Sequence, residues 1–190
     1  VAATAGNLNN RLGFSLTCLR LPPCHEFLVA EMGMNAPGEI AELCTIARPQ
    51  IGVVTCVAPV HLEGLGNLDA VARAKAEIIE ALPADGVAVL NLDDPRVAAM
   101  RGLVKGRCIG FGHQADADVR ILDVSSDADG HPTVSVEVAG RSVSTRLMLI
   151  GAHQAHNAAA ALAVGLAVGV DPDAAALAME KVGPGRHRMN

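Results

Sequence analysis

Short apolar runs alternate with helical segments between residues 27 and 112, and this alternation limits the possible folds more than any other feature. The runs at 27–33, 51–55, 86–90 and 108–112 are bounded by Pro, Gly or polar residues, as buried strands are. Apolar residues at helical spacing separate the runs. Strands that alternate with helices form a parallel sheet through right-handed crossovers. The sequence therefore predicts an α/β fold with a mostly parallel sheet flanked by helices.

Capping residues mark where the helices start. Pro37 suits a first helical turn, Asn67 or Asp69 can cap the next helix, and Asp171 can cap the last one. Helices are predicted at residues 37–47, 69–82, 96–103, 158–168 and 172–182.

The pattern changes between residues 117 and 150. Val residues alternate with polar residues there, and residues 127–130 and 139–140 resemble hairpin turns, with further short strands at Val143 and at 147–150. We expect a small antiparallel β appendage on the α/β core, so that residues 1–190 form one domain with a β subregion at about 117–150.

Composition excludes several classes of function. Aromatic residues make up only 2% of the chain and the net charge is -5, so neither nucleic acid nor an anionic membrane surface is expected as a partner. The longest apolar tract, 158–170, is too short to span a bilayer, and residues 1–10 do not resemble a signal peptide, so we expect none. Five Cys without a C-x-x-C pair indicate a reducing, cytoplasmic compartment without disulfides.

Polar residues follow several of the predicted strands, where open α/β sheets place their ligands. Glu31 ends one strand, His61 lies in the loop after the next, and Lys75 lies on the helix that follows. From the residues alone, Glu31 is more typical of a solvated loop acid. Lys75 is more typical of a helix lysine that keeps its ammonium in water. The Asn-rich segment 4–10 fits a turn and a substrate loop equally well.

The residues near the carboxyl end leave similar alternatives. His153 and His156 have i, i+3 spacing, which could bind a metal, but no third ligand is near them in the sequence. Polar residues at a helix start are therefore the favoured interpretation. Arg186 lies in a Gly-Pro-Gly-Arg turn and is either solvated or a phosphate clamp. The sequence contains no G-x-x-x-x-G-K-[ST] loop.

Seven motifs, in order along the chain, together resemble the Mur ligases. They are TAGNLNN (4–10), EMGMNAPGEI (31–40), VAPVHLEGLG (57–66), ARAKAEI (72–78), GVAVLNLDD (86–94), GAHQAHNAAAALA (151–163) and PGR (184–186). The first two motifs look most like those of the members that join D-alanyl-D-alanine to UDP-N-acetylmuramoyl-tripeptide.

This resemblance implies the central, ATP-binding domain of an ATP-dependent amide ligase that is cytoplasmic and monomeric. The peptide carboxylate would attack the γ-phosphoryl group of ATP, and the amine of D-alanyl-D-alanine would attack the resulting acyl phosphate. The family's phosphate-binding loop would precede Val1 and a third domain would follow Asn190. We therefore expect these 190 residues alone to bind ATP poorly and to show no turnover.

The resemblance also implies a metal site. Glu31 would bind Mg²⁺ that bridges the ATP phosphates, and His61 would help to hold a second Mg²⁺. Lys75 matches the family lysine that carbon dioxide carbamoylates, which would make it a carboxylate-like ligand of the metal.

Further roles follow from the same resemblance. Asn157 would recognise adenine beside His153 and Gln154, and Arg186 would contact the terminal phosphate. The nucleotide-sugar peptide would meet a polar set that consists of Asn7, Asn9, Asn10 and Asn35.

Two positions depart from the family pattern. Cys56 and Gln154 each stand where members often carry Asn. Two alternatives also stay open: a related ligase such as folylpolyglutamate synthase, which the Asn-rich segment disfavours, and a non-catalytic nucleotide-binding module.

Overall fold

A computed structural model describes residues 1–4, 6, 8–22, 24–59 and 62–183. It contains two sheets. A two-stranded parallel sheet pairs β1 (Ala2–Ala3) with β2 (Leu28–Val29). A six-stranded sheet has the order β3-β4-β5-β6-β7-β8. Its strands are β3 (Ile51–Val54), β4 (Val87–Asn91), β5 (Arg107–Gly112), β6 (Val119–Ser126), β7 (Pro132–Val138) and β8 (Arg141–Arg146).

Seven helices are present in the described part of the chain. They are α1 (Arg11–Leu19), α2 (Glu39–Ala47), α3 (Leu62–Leu65), α4 (Leu68–Glu80), α5 (Pro95–Ala99), α6 (Gln154–Ala167) and α7 (Pro172–Met179), and a 3₁₀ turn (Met100–Leu103) follows α5. Of the two predicted candidates, Asn67 caps α4, and Asp171 caps α7 as predicted.

The predicted α/β class is confirmed. Strands β3 to β6 pair in parallel, and β7 and β8 continue the same sheet in antiparallel pairing. The antiparallel part is joined to β5 through the pairing of Phe111 with Val119. It therefore extends the main sheet edge to edge, and its two hairpins turn where the sequence predicts.

The sheet buries apolar side chains on both faces, as parallel sheets do. On one face Val89, Ile109 and Phe111 pack with the Ala-rich side of α6. On the other face Ala88 and Leu90 pack with α4 and the segment after β4. This two-sided core fixes the carboxyl ends of β3, β4 and β5 at one edge of the sheet.

One helix was not predicted, and two local predictions were wrong. Helix α1 was not predicted, because its Leu12 and Leu19 are about four-fifths exposed and give no buried apolar stripe. Residues 147–150 do not continue β8, because the chain leaves the sheet before Gly151, whose φ is 103°. Helix α6 starts at Gln154, four residues before the predicted start, so that His156 and Asn157 are helical.

Two expectations from composition can be compared with the structure. All five cysteines are free. Within the described residues, every helix is too short or too polar to cross a bilayer.

Candidate functional site

Three side chains hold the segment that follows β3. Asn91 donates its amide N–H to the carbonyl of Thr55 at 2.7 Å. Lys75 donates from Nζ to the carbonyl of Cys56 at 2.7 Å. Asp94 accepts the N–H of Val57 at 2.6 Å and also caps α5. Strand β4, helix α4 and the N-cap of α5 thereby fix the backbone of residues 55–57 at the carboxyl edge of the sheet.

Glu31 follows β2 at the neighbouring edge. Its Oε1 accepts the amide N–H of Asn9 at 3.0 Å, and its backbone N–H donates to the hydroxyl of Thr4 at 3.1 Å. The carbonyl of Asn9 accepts the N–H of Gly33 at 2.8 Å. A Cβ on Gly33 would lie 3.0 Å from the Asn9 side chain, so glycine permits this close approach. Thr4 and Asn9 thus lie directly against the segment that contains Glu31 and Gly33.

Carboxylates also hold the segment between Glu31 and α2. Glu39 accepts the backbone N–H of Asn35 at 2.5 Å. Glu77, on α4, accepts the N–H of Gly38 at 2.6 Å and that of Ala41 at 3.0 Å. Glu77 therefore caps α2 from a different helix. This matters because Gly38, the N-cap residue, has no side chain to do so.

These elements surround an open cleft of about 950 Å³. Its walls include residues of β2 and β3, the start of α2, the middle of α4 and the end of α6. The cleft brings together five predicted site residues, which are Asn9, Asn10, Glu31, Asn35 and Lys75. In the described residues Asn10 also caps α1, since its Oδ1 accepts the N–H of Gly13 at 2.9 Å.

A second polar group lies at the start of α6. The amide of Asn157 donates to Oε1 of Gln154 at 2.9 Å, and Nε2 of Gln154 lies 3.1 Å from Nε2 of His153. His153 and Asn157 are exposed. A Cβ on Gly151 would lie 2.7 Å from the His153 ring, so this glycine leaves room for the imidazole. The predicted adenine-binding residues are therefore adjacent to one another.

A third polar group was not predicted from the sequence. Oδ2 of Asp93 lies 2.8 Å from Nδ1 of His113 and 2.9 Å from Nε2 of His156. Burial raises the pKa of Asp93, but hydrogen bonds from His113 and His156 outweigh it and lower the pKa to about 2. The sequence showed no partner near His156, because Asp93 and His113 are distant from it along the chain. His153 does not join this group.

The remaining predicted site residues, Asn7, His61 and Arg186, lie outside the described residues. Three residues that shape the site, Asn91, Asp94 and Glu77, were not predicted to belong to it. The polar cluster after β4 was a usable signal for Asn91 and Asp94. The sequence offered no such signal for Glu77, because the residues of α2 that it contacts lie 36 to 39 positions away.

Comparison with known proteins gives the family. The model of the Mur ligase middle domain matches residues 1–165 of the chain. The chain belongs to the Mur ligase family. Its Mur ligase relatives include two proteins named UDP-N-acetylmuramoyl-tripeptide--D-alanyl-D-alanine ligase. The one from Mycobacterium tuberculosis is 38% identical over 190 residues, which is 100% of this chain and 37% of the relative. The one from Escherichia coli is 37% identical over 187 residues, or 96% of this chain and 41% of the relative.

Solved Mur ligase structures have the same fold. MurF from Acinetobacter baumannii superposes with a TM-score of 0.92 at 30% identity, covering 99% of this chain and 41% of that one. MurF from Thermotoga maritima, solved in complex with ADP, gives a TM-score of 0.83 at 28% identity, covering 99% and 43%. This Mur ligase chain thus spans about two-fifths of the length of these relatives.

Proposed function

We propose that this chain is the central, ATP-binding part of a cytoplasmic, monomeric ligase that joins D-alanyl-D-alanine to UDP-N-acetylmuramoyl-tripeptide in the synthesis of peptidoglycan precursors. The observation that carries the proposal is the identity of 38% over the whole chain with an enzyme of that name. The folylpolyglutamate synthase and non-catalytic alternatives have no comparable support.

The cleft supplies ligands of the kind that Mg²⁺ prefers. Magnesium binds oxygen ligands, usually one or two carboxylates together with phosphates. Glu31 offers an exposed carboxylate whose orientation Asn9 fixes by a hydrogen bond. Bound Mg²⁺ would neutralise the ATP phosphates and the charge that develops during transfer. In this proposal Glu31 holds one ion, His61 and Lys75 help to hold a second, and Arg186 contacts the terminal phosphate.

Lys75 is the residue whose chemistry must change for this role. An ammonium repels a metal ion, whereas a carbamate formed with carbon dioxide is a carboxylate-like ligand. The hydrogen bond from Nζ to the carbonyl of Cys56 places the amine at the wall of the cleft. A carbamate retains one N–H on that nitrogen, so the same hydrogen bond can hold the modified side chain in place.

The nucleotide base and the peptide substrate are assigned to two further sets of residues. Asn157, with His153 and Gln154, presents amide donors and acceptors on an exposed helix start, which suits the edge of adenine. Asn9, Asn10 and Asn35 line the cleft, and in this proposal they and Asn7 bind the nucleotide-sugar peptide. The carboxylate of the bound peptide would face the γ-phosphoryl group of ATP. The amine of D-alanyl-D-alanine would then displace phosphate from the acyl phosphate.

A ligase assay on the protein as encoded by its gene tests the proposal. We expect phosphate release that requires ATP, Mg²⁺, UDP-N-acetylmuramoyl-tripeptide and D-alanyl-D-alanine together. Release that requires a folate and glutamate instead would show the folylpolyglutamate alternative to be correct. ATP binding without release under either condition would favour a non-catalytic module.

The modification of Lys75 has its own test. With ¹³C-labelled bicarbonate, a carbamate resonance should appear in the carbon NMR spectrum and should be absent from Lys75→Arg. The matched control is Lys105→Arg, since Lys105 also donates to a backbone carbonyl, that of Glu80, at 2.7 Å. A carbamate signal that persists in Lys75→Arg would exclude the proposed modification.

A further inference from the structure

Asp93, His113 and His156 converge from three parts of the fold. Asp93 follows β4, His113 follows β5, and His156 lies in the first turn of α6. One possible ligand atom from each side chain lies within 4.8 Å of the other two. None of the three is among the residues that line the cleft, so the cluster is a separate feature.

The backbone around Asp93 holds its carboxylate in position. The N–H of His113 donates to both Asp93 oxygens at 2.9 Å, and the N–H of Asp93 donates to Oδ1 of Asn91 at 2.9 Å. Gly112 makes this possible with a φ of 136°, and a Cβ at that position would lie 2.8 Å from the carboxylate. The side chains of Asp93 and His156 are 20% and 32% exposed, so the cluster is reachable from solvent.

Two imidazoles and one carboxylate form a ligand set with a clear preference among metals. Imidazole nitrogen suits Zn²⁺, Cu²⁺, Ni²⁺ and Co²⁺, whereas Mg²⁺ selects oxygen. Ligand atoms on a tetrahedral Zn²⁺ stand about 3.3 Å apart for bonds of about 2.0 Å. The observed separations of 2.8 and 2.9 Å from Asp93 Oδ2 are a few tenths of an ångström shorter. Small rotations of the half-exposed His113 would accommodate the ion.

We propose that Asp93, His113 and His156 bind a divalent transition metal ion of the Zn²⁺ class, with the remaining coordination position open to solvent. The ion takes the place of the hydrogen bonds that Asp93 now accepts from the two imidazoles. It would also tie the start of α6 to the ends of β4 and β5. Asn157 is the next residue on that helix, so metal binding would change nucleotide affinity if the proposed adenine role is correct. The metal site itself does not depend on that role.

Zinc titration of the protein as encoded by its gene tests the site directly. Calorimetry in a phosphine-reduced buffer should detect a Zn²⁺ binding event that both His113→Ala and His156→Ala weaken at least about tenfold. Co²⁺ bound at the same site should give a visible spectrum of nitrogen and oxygen ligation, without a thiolate charge-transfer band. His113→Ala retains the backbone N–H that holds Asp93, so the fold should persist, as circular dichroism would verify.

The matched control is His25→Ala. His25 is exposed and lies beside Cys24, outside the cluster, so its removal should leave the binding event unchanged. Three outcomes would overturn the proposal: Zn²⁺ affinity that is equal in the wild type and both cluster variants, a thiolate band in the Co²⁺ spectrum of that event, or loss of the event in His25→Ala. In the first case the cluster is a hydrogen-bonded network only.

Discussion

Replacing Glu77 with alanine tests how the start of α2 is held against α4. The change removes two acceptors, for Gly38 N–H at 2.6 Å and Ala41 N–H at 3.0 Å, and a negative charge at a helix N-terminus. Hydrogen bonds to charged groups contribute roughly 1.5–3 kcal/mol when well shielded. Solvent screening at this half-buried site reduces each to about 1 kcal/mol. We therefore expect the free energy of unfolding to fall by about 2 kcal/mol, and by about half that in Glu77→Gln, which keeps one acceptor oxygen.

Urea unfolding followed by far-ultraviolet circular dichroism measures this change, because the chain has no Trp or Tyr for fluorescence. Glu80→Ala is the matched control. Glu80 is exposed on the same helix, and its contact with Lys105 is made by the backbone carbonyl. Its replacement should change stability by no more than about 0.5 kcal/mol. If Glu77→Ala and Glu80→Ala unfold at the same urea concentration, Glu77 does not cap α2 and the reasoning fails.

Four further outcomes are expected. Phe111→Ala should lower the free energy of unfolding by about 3–5 kcal/mol, because Phe111 is fully buried; a loss below about 1 kcal/mol in urea unfolding would contradict this. Gly112→Ala should cost roughly 1–3 kcal/mol, since its φ of 136° is strained for alanine, and an unchanged melting temperature would refute it. The pKa of Asp93 is lowered from 3.8 to about 2, so its ionised form stabilises the fold. This contribution to the free energy of unfolding, about 2 kcal/mol, is present above pH 4 and is lost as the pH falls through 2. Acid titrations of wild type and Asp93→Asn should converge over that range, and a constant difference would argue against the contribution. Burial, with a smaller effect of Glu77, raises the pKa of Cys44 to about 11, so iodoacetamide should alkylate exposed Cys24 much faster than Cys44. Mass spectrometry that showed Cys44 alkylated before Cys24 would contradict this.

Local patterns predicted most of the fold. The strands β3, β4 and β5 are continuous apolar runs with clear boundaries, and Asn67 and Asp171 mark helix starts through side-chain caps that depend only on residues three positions or fewer away. Helix α1 was not predicted, because its exposed leucines hide which face of the helix is buried. A hydrophobic pattern predicts a helix when its regularly spaced apolar residues are the buried ones, and in α1 Leu12 and Leu19 are exposed.

The site was less predictable because its contacts join distant residues. Asp93 meets His113 across 20 positions and His156 across 63. The i, i+3 spacing of His153 and His156 suggested a pair, yet the structure separates them and joins His156 to another strand's end. By contrast, the motifs predicted Glu31, Asn35 and Lys75 as site residues, and all three line the cleft. A resemblance to a family carries information on three-dimensional placement that spacing does not.

The edges of the two sheets have a consequence for handling this chain. Within the described residues, β3 is an end strand of the six-stranded sheet, and β2 belongs to a sheet of only two strands; both line the cleft. End strands present unpaired N–H and C=O groups that accept a strand from another molecule. Val29, 61% exposed on β2, adds an apolar side chain beside such an edge. Pairing of these edge strands between molecules should therefore make the 190-residue chain self-associate as its concentration rises. A segment that covered both edges would prevent this association.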